Sequence, residues 1–239
     1  MTQHANAPQT PHVAPFIQES NNCRSLHFDM HQLQSQMCIS RPDELRVDYT
    51  RTMMGFALLN RRPRHIVMIG LGGGSLAKFC YRNLPESRIT VVEINPHVIA
   101  LRKEFLIPDD NYRFKVVQAD GADFIASTES NVDVLLVDGY DQRGQPPQLG
   151  TDKFYLACRD ALTDEGVMAV NLHEAHPFYE LFLERITGAF NGNVVEVAAN
   201  HGENVVVFAA PAIAISPPEF RNRMESFYSG LNQWTPAHA

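Results

Sequence analysis

The sequence lacks the features that mark a secreted or disulfide-rich protein. Its 239 residues include only four cysteines, and no two of these have the Cys-x-x-Cys spacing. Because disulfide scaffolds are short and rich in cysteine, we expect free thiols in a reducing, cytoplasmic compartment. Residues 1–15 have neither the basic start nor the apolar core of a signal peptide, which supports the same expectation.

Long apolar runs and positive charge are also scarce. The longest apolar stretch, residues 205–215, contains Pro211 and is much shorter than the roughly 20 residues that a membrane-spanning helix needs. Twenty Lys and Arg against 27 Asp and Glu give a formal net charge of −7. An acidic balance argues against nucleic-acid binding and is typical of a soluble enzyme, including one that handles cations. We therefore expect neither a membrane nor a nucleic-acid partner.

Compact apolar runs alternate with helical segments through most of the chain. Five such runs, each followed by a segment of helical spacing, lie at HIVMIG, RITVVEI, YRFKVVQAD, VDVLLVDG and GVMAVNL. Continuous apolar strands separated by helices predict a parallel sheet covered on both faces. Two further runs, residues 193–199 and 204–210, are separated by only four residues, which predicts an antiparallel hairpin. This α/β pattern resembles the Rossmann-like class I S-adenosylmethionine-dependent methyltransferase fold, a seven-stranded sheet with a C-terminal antiparallel hairpin.

The same patterns divide the chain into a large domain and smaller flanking parts. Residues 1–15 predict a mobile tail, and the alternating residues 16–41 predict a short N-terminal β-ribbon. The ribbon is too small for a core of its own, so we expect it to lean on the main domain or on a partner. Residues 42–230 are expected to form the Rossmann-like domain, beginning with an amphipathic helix in DELRVDYTRTMMGFALLN. In the C-terminal tail, residues 231–239, Trp234 is a candidate for docking on the domain or on a second subunit.

Acidic residues follow successive strands of the predicted sheet. Glu93 ends the second strand, Asp120 follows the third, and Asp138 and Asp141 follow the fourth. In an open parallel sheet, ligands bind outside the carboxyl ends of the strands. The sequence therefore predicts a ligand site with an acidic rim.

A glycine-rich turn after the first strand points to a nucleoside. Gly70, Gly72 and Gly74 let the backbone pass close under a ligand, because a Cβ there would collide with it. Glu93 lies about where an acidic side chain accepts hydrogen bonds from ribose hydroxyls. NAD is a weaker candidate, since its pyrophosphate uses a third glycine where this chain has Ser75.

The remaining carboxylates allow more than one interpretation. Asp120, followed by Gly121, is placed to cap a helix, to contact an adenine amino group, or both. Asp138 and Asp141 are three residues apart, and their mutual repulsion calls for a cation or hydrogen bonds between them. No His or Asp cluster of ligand spacing accompanies them, so we favour an ammonium group over a metal ion.

Several segments, in this order, resemble the spermidine synthase family of polyamine aminopropyltransferases. The resemblance runs from about Ser25 to Pro211 and is carried by LHFD, QSQM, DYTR, MIGLGGGSL, VVEIN, QADGADF, VDGYD and KFY with ALTDEGV. It implies transfer of an aminopropyl group from decarboxylated S-adenosylmethionine to a diamine such as putrescine. It also implies a homodimer, because relatives commonly pair through their N-terminal strands.

The resemblance assigns roles on the cofactor side of the site. Glu93 matches the residue that binds the ribose, and Asp120 matches one near adenine. Gln34 matches a cofactor-side position, where Gln32 and Gln36 are neighbouring alternatives.

On the acceptor side, Asp141 matches the acid/base residue. Asp138 beside it matches a contact to the substrate amine and also borders the cofactor. Tyr49 matches a polyamine-side position.

The chain also departs from the family pattern at three places. Gly73 stands where the family has an aspartate that meets the aminopropyl amine. Tyr140 brings a bulky ring to the pocket mouth where relatives have a small residue, and Arg51 replaces an acidic residue and would disfavour a diamine nearby. These differences leave two alternatives open: a methyltransferase that uses intact S-adenosylmethionine, and a non-catalytic homologue that binds a nucleoside.

Overall fold

The computed structural model describes residues 12–30, 33–141, 144–200, 202–213 and 215–231, and its strands form two separate sheets. The smaller sheet is antiparallel, and its strands follow in the order β1 (Phe16–Ser20), β2 (Cys23–His27) and β3 (Leu33–Cys38). Asn21 and Asn22 both have positive φ, as the two-residue turn of a tight hairpin requires. The predicted N-terminal ribbon is therefore a three-stranded sheet.

The larger sheet has seven strands in the spatial order β6-β5-β4-β7-β8-β10-β9. These strands are β4 (His65–Ile69), β5 (Arg88–Glu93), β6 (Phe114–Gln118), β7 (Val132–Val137), β8 (Leu162–His173), β9 (Val194–Ala198) and β10 (Asn204–Ala209). Strands β4 to β8 are parallel to one another, whereas β10 is antiparallel to both β8 and β9. The predicted fold class, with its C-terminal hairpin, is confirmed.

Helices cover both faces of the larger sheet, and a buried apolar cluster lies on each face. The helices are α1 (Asp48–Met53), α2 (Ser75–Asn83), α3 (Pro96–Ala100), α4 (Gly121–Ala126), α5 (Asp152–Ala161), α6 (Tyr179–Ala189) and α7 (Pro217–Gly230). Two short 3₁₀ segments add to them, Met54–Leu58 and Pro147–Gly150. None of the helices in the described ranges is long and apolar enough to cross a bilayer.

Two helices are shorter than the sequence pattern predicts. The first predicted helix is only six residues of α-helix, α1, followed by a 3₁₀ segment that contains Gly55. A Cβ at Gly55 would lie 2.5 Å from the Met224 sulfur, so α7 packs directly on this part of the chain. Helix α3 gives way to turns after Ala100, and Leu106 has a φ of 54°. This reversal lets the flanking Phe105 and Ile107 both bury their side chains.

The strand-and-helix pattern of the sequence did not predict helix α7. It begins at Ser216, whose hydroxyl accepts a hydrogen bond from the Glu219 amide. Phe220 is fully buried against Phe208, with ring centroids 4.9 Å apart. Leu231, the first residue of the predicted C-terminal tail, is also buried, whereas Trp234 lies outside the described residues.

The small sheet packs on the main domain, as the sequence predicts from its size. Leu26 and Met37 are almost fully buried, and β3 contacts α2. From α2, the Lys78 ammonium donates a hydrogen bond to the Phe105 carbonyl at 2.7 Å and lies 3.0 Å from the Met37 sulfur. Because this ammonium is buried, the pKa of Lys78 is lowered to about 8. Within the described segments all four cysteines have free thiols.

Candidate active site

A cleft of about 940 Å³ opens at the carboxyl ends of β4, β5, β7 and β8, with β3 of the small sheet along one side. Ten of the predicted site residues line it: Gln34, Tyr49, Gly70, Gly72, Glu93, Asp120, Gly121, Asp138, Tyr140 and Asp141. The fold therefore brings residues from most of the chain into one cavity. Gly74 is the predicted site residue that does not line the cleft.

The glycine turn after β4 is required by backbone packing. Gly70 has a φ of 98°, and a Cβ there would lie 2.2 Å from the Asp138 carbonyl oxygen. Only glycine fits, because the end of β4 meets the end of β7 at this point. Gly74 has a φ of 67°, and a Cβ there would lie 2.6 Å from the Ile107 side chain. Gly74 thus allows α2 to begin and Ile107 to pack behind the turn.

Glu93 is fixed at the cleft by two backbone amides. Its Oε2 accepts a hydrogen bond from the Leu71 amide at 2.9 Å, and its Oε1 accepts one from the Asn95 amide at 2.8 Å. Burial raises the pKa of Glu93, and these amides offset part of the rise. Each carboxylate oxygen has a further lone pair, so the oriented side chain can accept hydrogen bonds from hydroxyl groups of a ligand.

Asp120 makes the capping contact that the sequence allows. Its Oδ1 accepts hydrogen bonds from the amides of Ala122 and Asp123 at the start of α4. Its Oδ2 accepts one from the Gln148 side chain at 3.0 Å. Gly121 belongs to the floor of the cleft, because a Cβ there would lie 2.5 Å from a methyl group of Ile69. The adenine contact of Asp120 stays a prediction.

Asp138 is the most enclosed carboxylate of the cleft. Its Oδ2 accepts a hydrogen bond from the Tyr49 hydroxyl at 2.9 Å, and its Oδ1 accepts one from the Asn171 side chain at 2.8 Å. Burial raises the pKa of Asp138 to about 6, and these two donors oppose the rise. Burial is thus the main cause of the raised pKa of Asp138.

Asp141 lies at the mouth of the cleft and is exposed. Its backbone amide donates to the Gly144 carbonyl at 2.9 Å, and the Gly144 amide donates back at 3.2 Å. Gly144 has a φ of 107°, so this tight turn depends on glycine. The two aspartates are thus unequal, one enclosed and one open to solvent.

Two tyrosines border Asp138 in their neutral form. Burial and the nearby Asp138 charge raise the pKa of Tyr49 and of Tyr140, so both hydroxyls keep their protons. The Tyr140 hydroxyl donates to the Asn171 backbone carbonyl at 2.9 Å. Tyr140 is therefore fastened to β8 as part of the cleft wall.

The sequence analysis assigned no role to some of the residues that line the cleft. Asn171 holds Asp138, and its signal is its place at the carboxyl end of the fifth apolar run. Gln148 lines the cleft from a loop that carries no comparable signal. Val13, within the predicted mobile tail, lines the cleft and accepts a hydrogen bond from the Asn95 side chain at 2.9 Å.

The structure shows where two residues that depart from the family pattern, Gly73 and Arg51, lie relative to the cleft. A Cβ at Gly73 would lie 2.7 Å from the Ser35 hydroxyl and 2.8 Å from the Phe105 ring, so these two side chains fill the space of an acidic residue. Arg51 is not among the residues that line the cleft. The Arg51 charge acts instead on Tyr228 of α7. Burial raises the pKa of Tyr228, and the positive charge opposes part of that rise. Arg51 is therefore not part of the cleft wall.

The sheet order, the glycine turn and the carboxylate of Glu93 at the end of β5 define the class: a methyltransferase-like α/β fold with a site suited to an adenosine-type ligand. In the described residues, no group of three or more His, Cys, Asp and Glu is placed to hold a metal ion. Residues 46–205 match the family model described as "Spermine/spermidine synthase domain". The chain belongs to the spermine/spermidine synthase family.

Comparison with known proteins gives the same result. The chain is 42% identical over 195 residues to a polyamine aminopropyltransferase of Chromobacterium violaceum, covering 81% of this chain and 74% of the relative. A polyamine aminopropyltransferase of Neisseria meningitidis is 40% identical with the same coverage. A solved structure of a probable spermidine synthase from Corynebacterium glutamicum has a TM-score of 0.72 and 18% identity, covering 93% of this chain and 95% of that one. At that identity the structural likeness concerns the fold alone.

Proposed function

We propose that this protein is an aminopropyltransferase that moves an aminopropyl group from decarboxylated S-adenosylmethionine to a diamine such as putrescine. The observation that carries the proposal is the enclosed Asp138 carboxylate, held by Tyr49 and Asn171 in the same cleft as Glu93. Membership of the family and the names of the relatives at 40–42% identity support the same activity.

The donor occupies the part of the cleft between the glycine turn and β3. The Glu93 carboxylate accepts hydrogen bonds from the ribose hydroxyls, since its position is fixed by the Leu71 and Asn95 amides. Asp120 and Gly121 border the adenine. Gln34, which lines the cleft from β3, lies on the side of the sulfonium group.

The acceptor amine enters between Asp138 and Asp141. At neutral pH the amine is an ammonium ion and inert, so a carboxylate must orient it and accept its proton. We assign this role to Asp141, while Asp138 and Tyr49 align the nitrogen with the carbon next to sulfur. The nitrogen lone pair forms the new C–N bond, and the C–S electron pair leaves with sulfur as neutral methylthioadenosine. No external oxidant or reductant is needed.

One observation favours a methyltransferase that uses intact S-adenosylmethionine. The glycine turn has no acidic side chain at Gly73, and Ser35 and Phe105 fill that space. Without a carboxylate at this point, the turn offers no selection for the more cationic, decarboxylated tail. The two carboxylates beside the proposed amine site support aminopropyl transfer.

Measurement of transfer with both sulfonium donors separates the proposals. Methylthioadenosine release that depends on putrescine is the result expected for an aminopropyltransferase. Formation of S-adenosylhomocysteine from intact S-adenosylmethionine would support the methyltransferase instead. Neither product, together with retained nucleoside binding, would favour the non-catalytic homologue.

We also propose a homodimer in the cytoplasm. The outer edge of β1 has no partner strand in the described ranges, and Phe16 is exposed there. Open strand edges favour pairing with a second chain. Light scattering on a size-exclusion column tests the dimer, and a monomeric mass across the working concentration range would contradict it. Recovery of the protein in a secreted fraction would contradict the cytoplasmic location.

A further inference from the structure

Two asparagine side chains connect Asp138 to the C-terminal hairpin. The Asn204 Nδ2 group donates to the Asn171 Oδ1 atom at 2.9 Å, and the Asn171 Nδ2 group donates to the Asp138 Oδ1 atom at 2.8 Å. Asn171 lies in β8 and is almost fully buried, whereas Asn204 is the first residue of β10. In the antiparallel register Asn171 pairs with Val206, so Asn171 and Asn204 lie on the same face of neighbouring strands.

Because an amide group has one donating and one accepting end, the series of hydrogen bonds from Asn204 to Asp138 has a direction. A carboxylate only accepts hydrogen bonds, whereas an amide has one donating and one accepting end. Asn171 must therefore turn its NH₂ group toward an ionised Asp138, which points its oxygen the other way. If the Asn171 amide rotated by half a turn, its oxygen would face the carboxylate, an arrangement that suits only a protonated Asp138. A hydrogen-bond donor on the side of Asn171 that faces away from Asp138 favours the orientation in which the NH₂ group faces Asp138.

We propose that Asn204 is a positioning residue for the transfer reaction: its hydrogen bond to Asn171 holds that amide in the orientation that keeps Asp138 an ionised acceptor for the substrate amine. The inference rests on the proposed function for its catalytic meaning. The hydrogen-bond geometry itself does not depend on which reaction the cleft performs.

None of the other ionisable groups described near Asp138 fixes the orientation of the Asn171 amide. From α1, the Tyr49 hydroxyl donates to the other oxygen of Asp138 and is free to rotate, so it fits either charge state. The Tyr140 hydroxyl is bound to the Asn171 backbone carbonyl. At the end of β8, the His173 ring lies 3.4 Å from the Glu203 carboxylate, and Asp141 lies at the cleft mouth.

Two substitutions of Asn204 distinguish a change in the orientation of the Asn171 amide from the mere loss of a hydrogen bond. Asn204→Ala removes the donor and leaves the Asn171 amide free to rotate. Asn204→Asp keeps the shape but turns the donor into an acceptor, so the Asn171 NH₂ group is drawn toward residue 204 and its oxygen toward Asp138. Asn193→Ala and Asn193→Asp are the matched controls, since Asn193 precedes β9 of the same hairpin and its side chain donates to the Pro211 backbone carbonyl, away from Asp138.

The direct measurement is the carboxyl titration of Asp138 by NMR in protein labelled with ¹³C at aspartate, with the signal assigned through Asp138→Asn. We expect Asn204→Asp to raise the titration midpoint of Asp138 from about 6 by about one pH unit. Because this lowers the ionised fraction of Asp138, kcat should fall by about twofold at pH 7 and by about ninefold at pH 5. Asn204→Ala is expected to change both quantities in the same direction by less. The KM for the donor should keep its wild-type value, and both Asn193 variants should behave as wild type.

An unchanged midpoint in folded Asn204→Asp overturns the inference, as does an equal shift in Asn193→Asp. A loss of kcat without any shift of the midpoint also overturns it, because a purely structural defect would act in that way. If the wild-type protein releases no methylthioadenosine, the proposed function fails. The titration still decides whether Asn204 orients the amide next to Asp138.

Discussion

At the scale of single residues, the site depends on carboxylates of the same type in different surroundings. Asp138 is enclosed and receives hydrogen bonds from Tyr49 and Asn171, whereas Asp141 is exposed at the cleft mouth. A proton acceptor that must release its proton to solvent after each turnover suits the exposed position. A group that orients the amine suits the enclosed one.

Asp141→Asn is expected to lower kcat by at least about a hundredfold, since the amide cannot accept the proton of the attacking amine. Donor affinity should stay at its wild-type value, because the substitution lies away from Glu93. Methylthioadenosine release and calorimetric binding of the nucleoside product measure the two effects. The exposed Asp160 on α5 provides the control variant, Asp160→Asn. A variant at position 141 with wild-type turnover would remove the proposed base.

The pKa of Asp138, raised by burial to about 6, predicts an acid limb in the pH dependence of kcat/KM for the amine. The ionised form binds the ammonium, so activity is present above this pKa and is lost as the pH falls through it. Asp138→Asn should leave a lower activity that no longer shows this limb. Steady-state kinetics between pH 5 and 8 at saturating donor test this; an acid limb that persists in the variant assigns it to another group.

Glu93→Ala is expected to weaken nucleoside binding by about 1–3 kcal/mol, the cost of a lost charge-assisted hydrogen bond. Isothermal titration with methylthioadenosine measures the change. Glu86→Ala, at an exposed position before β5, is the control and should bind normally. Because Glu93 also accepts the Leu71 and Asn95 amides, thermal unfolding of each variant must accompany the titration. Equal affinity of both variants would contradict the ribose role.

At the scale of elements, the sequence predicts what depends on local pattern. The strands of the large sheet were foreseen because their residues are apolar on both faces, and the short link before Asn204 required a hairpin. The acidic rim followed from the same topology, since the carboxyl ends of parallel strands share one edge. Helix α7 was missed, although Ser216 followed by Pro217 and Glu219 is a recognisable helix start.

Properties that depend on tertiary contacts could not be predicted from the sequence. The direction of Arg51 is one example, because a residue on a short helix faces the cleft or the protein interior according to how that helix packs. The link from Asn204 through Asn171 is another, since it depends on the register between β8 and β10. The space next to Gly73 is a third, because the Phe105 ring that fills it comes from a segment more than 30 residues further along the chain.

The packing of α7 on the sheet predicts a large loss of stability for Phe220→Ala, about 3–5 kcal/mol in the free energy of unfolding. The side chain is fully buried, and its ring contacts that of Phe208. Equilibrium unfolding in urea measures the change. Tyr112 is 92% exposed, so Tyr112→Ala is a control that removes an aromatic ring at little cost. Similar stability of the two variants would show that α7 is not held by this contact.

At the scale of the whole molecule, the small sheet and the main domain meet around one buried ammonium group. Lys78 from α2 reaches the Phe105 carbonyl and the sulfur of Met37 in β3. Burial of the charge costs free energy that the Asp43 carboxylate offsets only in part, which is why the pKa of Lys78 is lowered to about 8.

Because Lys78 is buried, we predict that the contribution of this residue to the free energy of unfolding increases with pH. Between the folded pKa of about 8 and the ordinary value of 10.5, the unfolded chain binds more protons at this site than the folded chain. Relative to Lys78→Met, wild type should therefore gain as much as about 3 kcal/mol in the free energy of unfolding across this window. Urea unfolding of both proteins at several pH values from 7 to 10 measures the difference. The exposed Lys103→Met should show no such trend, and a flat difference for Lys78→Met would contradict a buried ammonium.

The close approach of Gly70 to the Asp138 carbonyl has a consequence for how this enzyme can change. The turn beneath the nucleoside and the segment that presents Asp138 touch through main-chain atoms, and the Asp138 amide donates to the Ile69 carbonyl at 2.9 Å. Main-chain contacts therefore fix the glycine turn against the end of β7 that carries Asp138. Side chains of the cleft wall, rather than this main-chain contact, are therefore the positions at which the length of the acceptor amine can be selected.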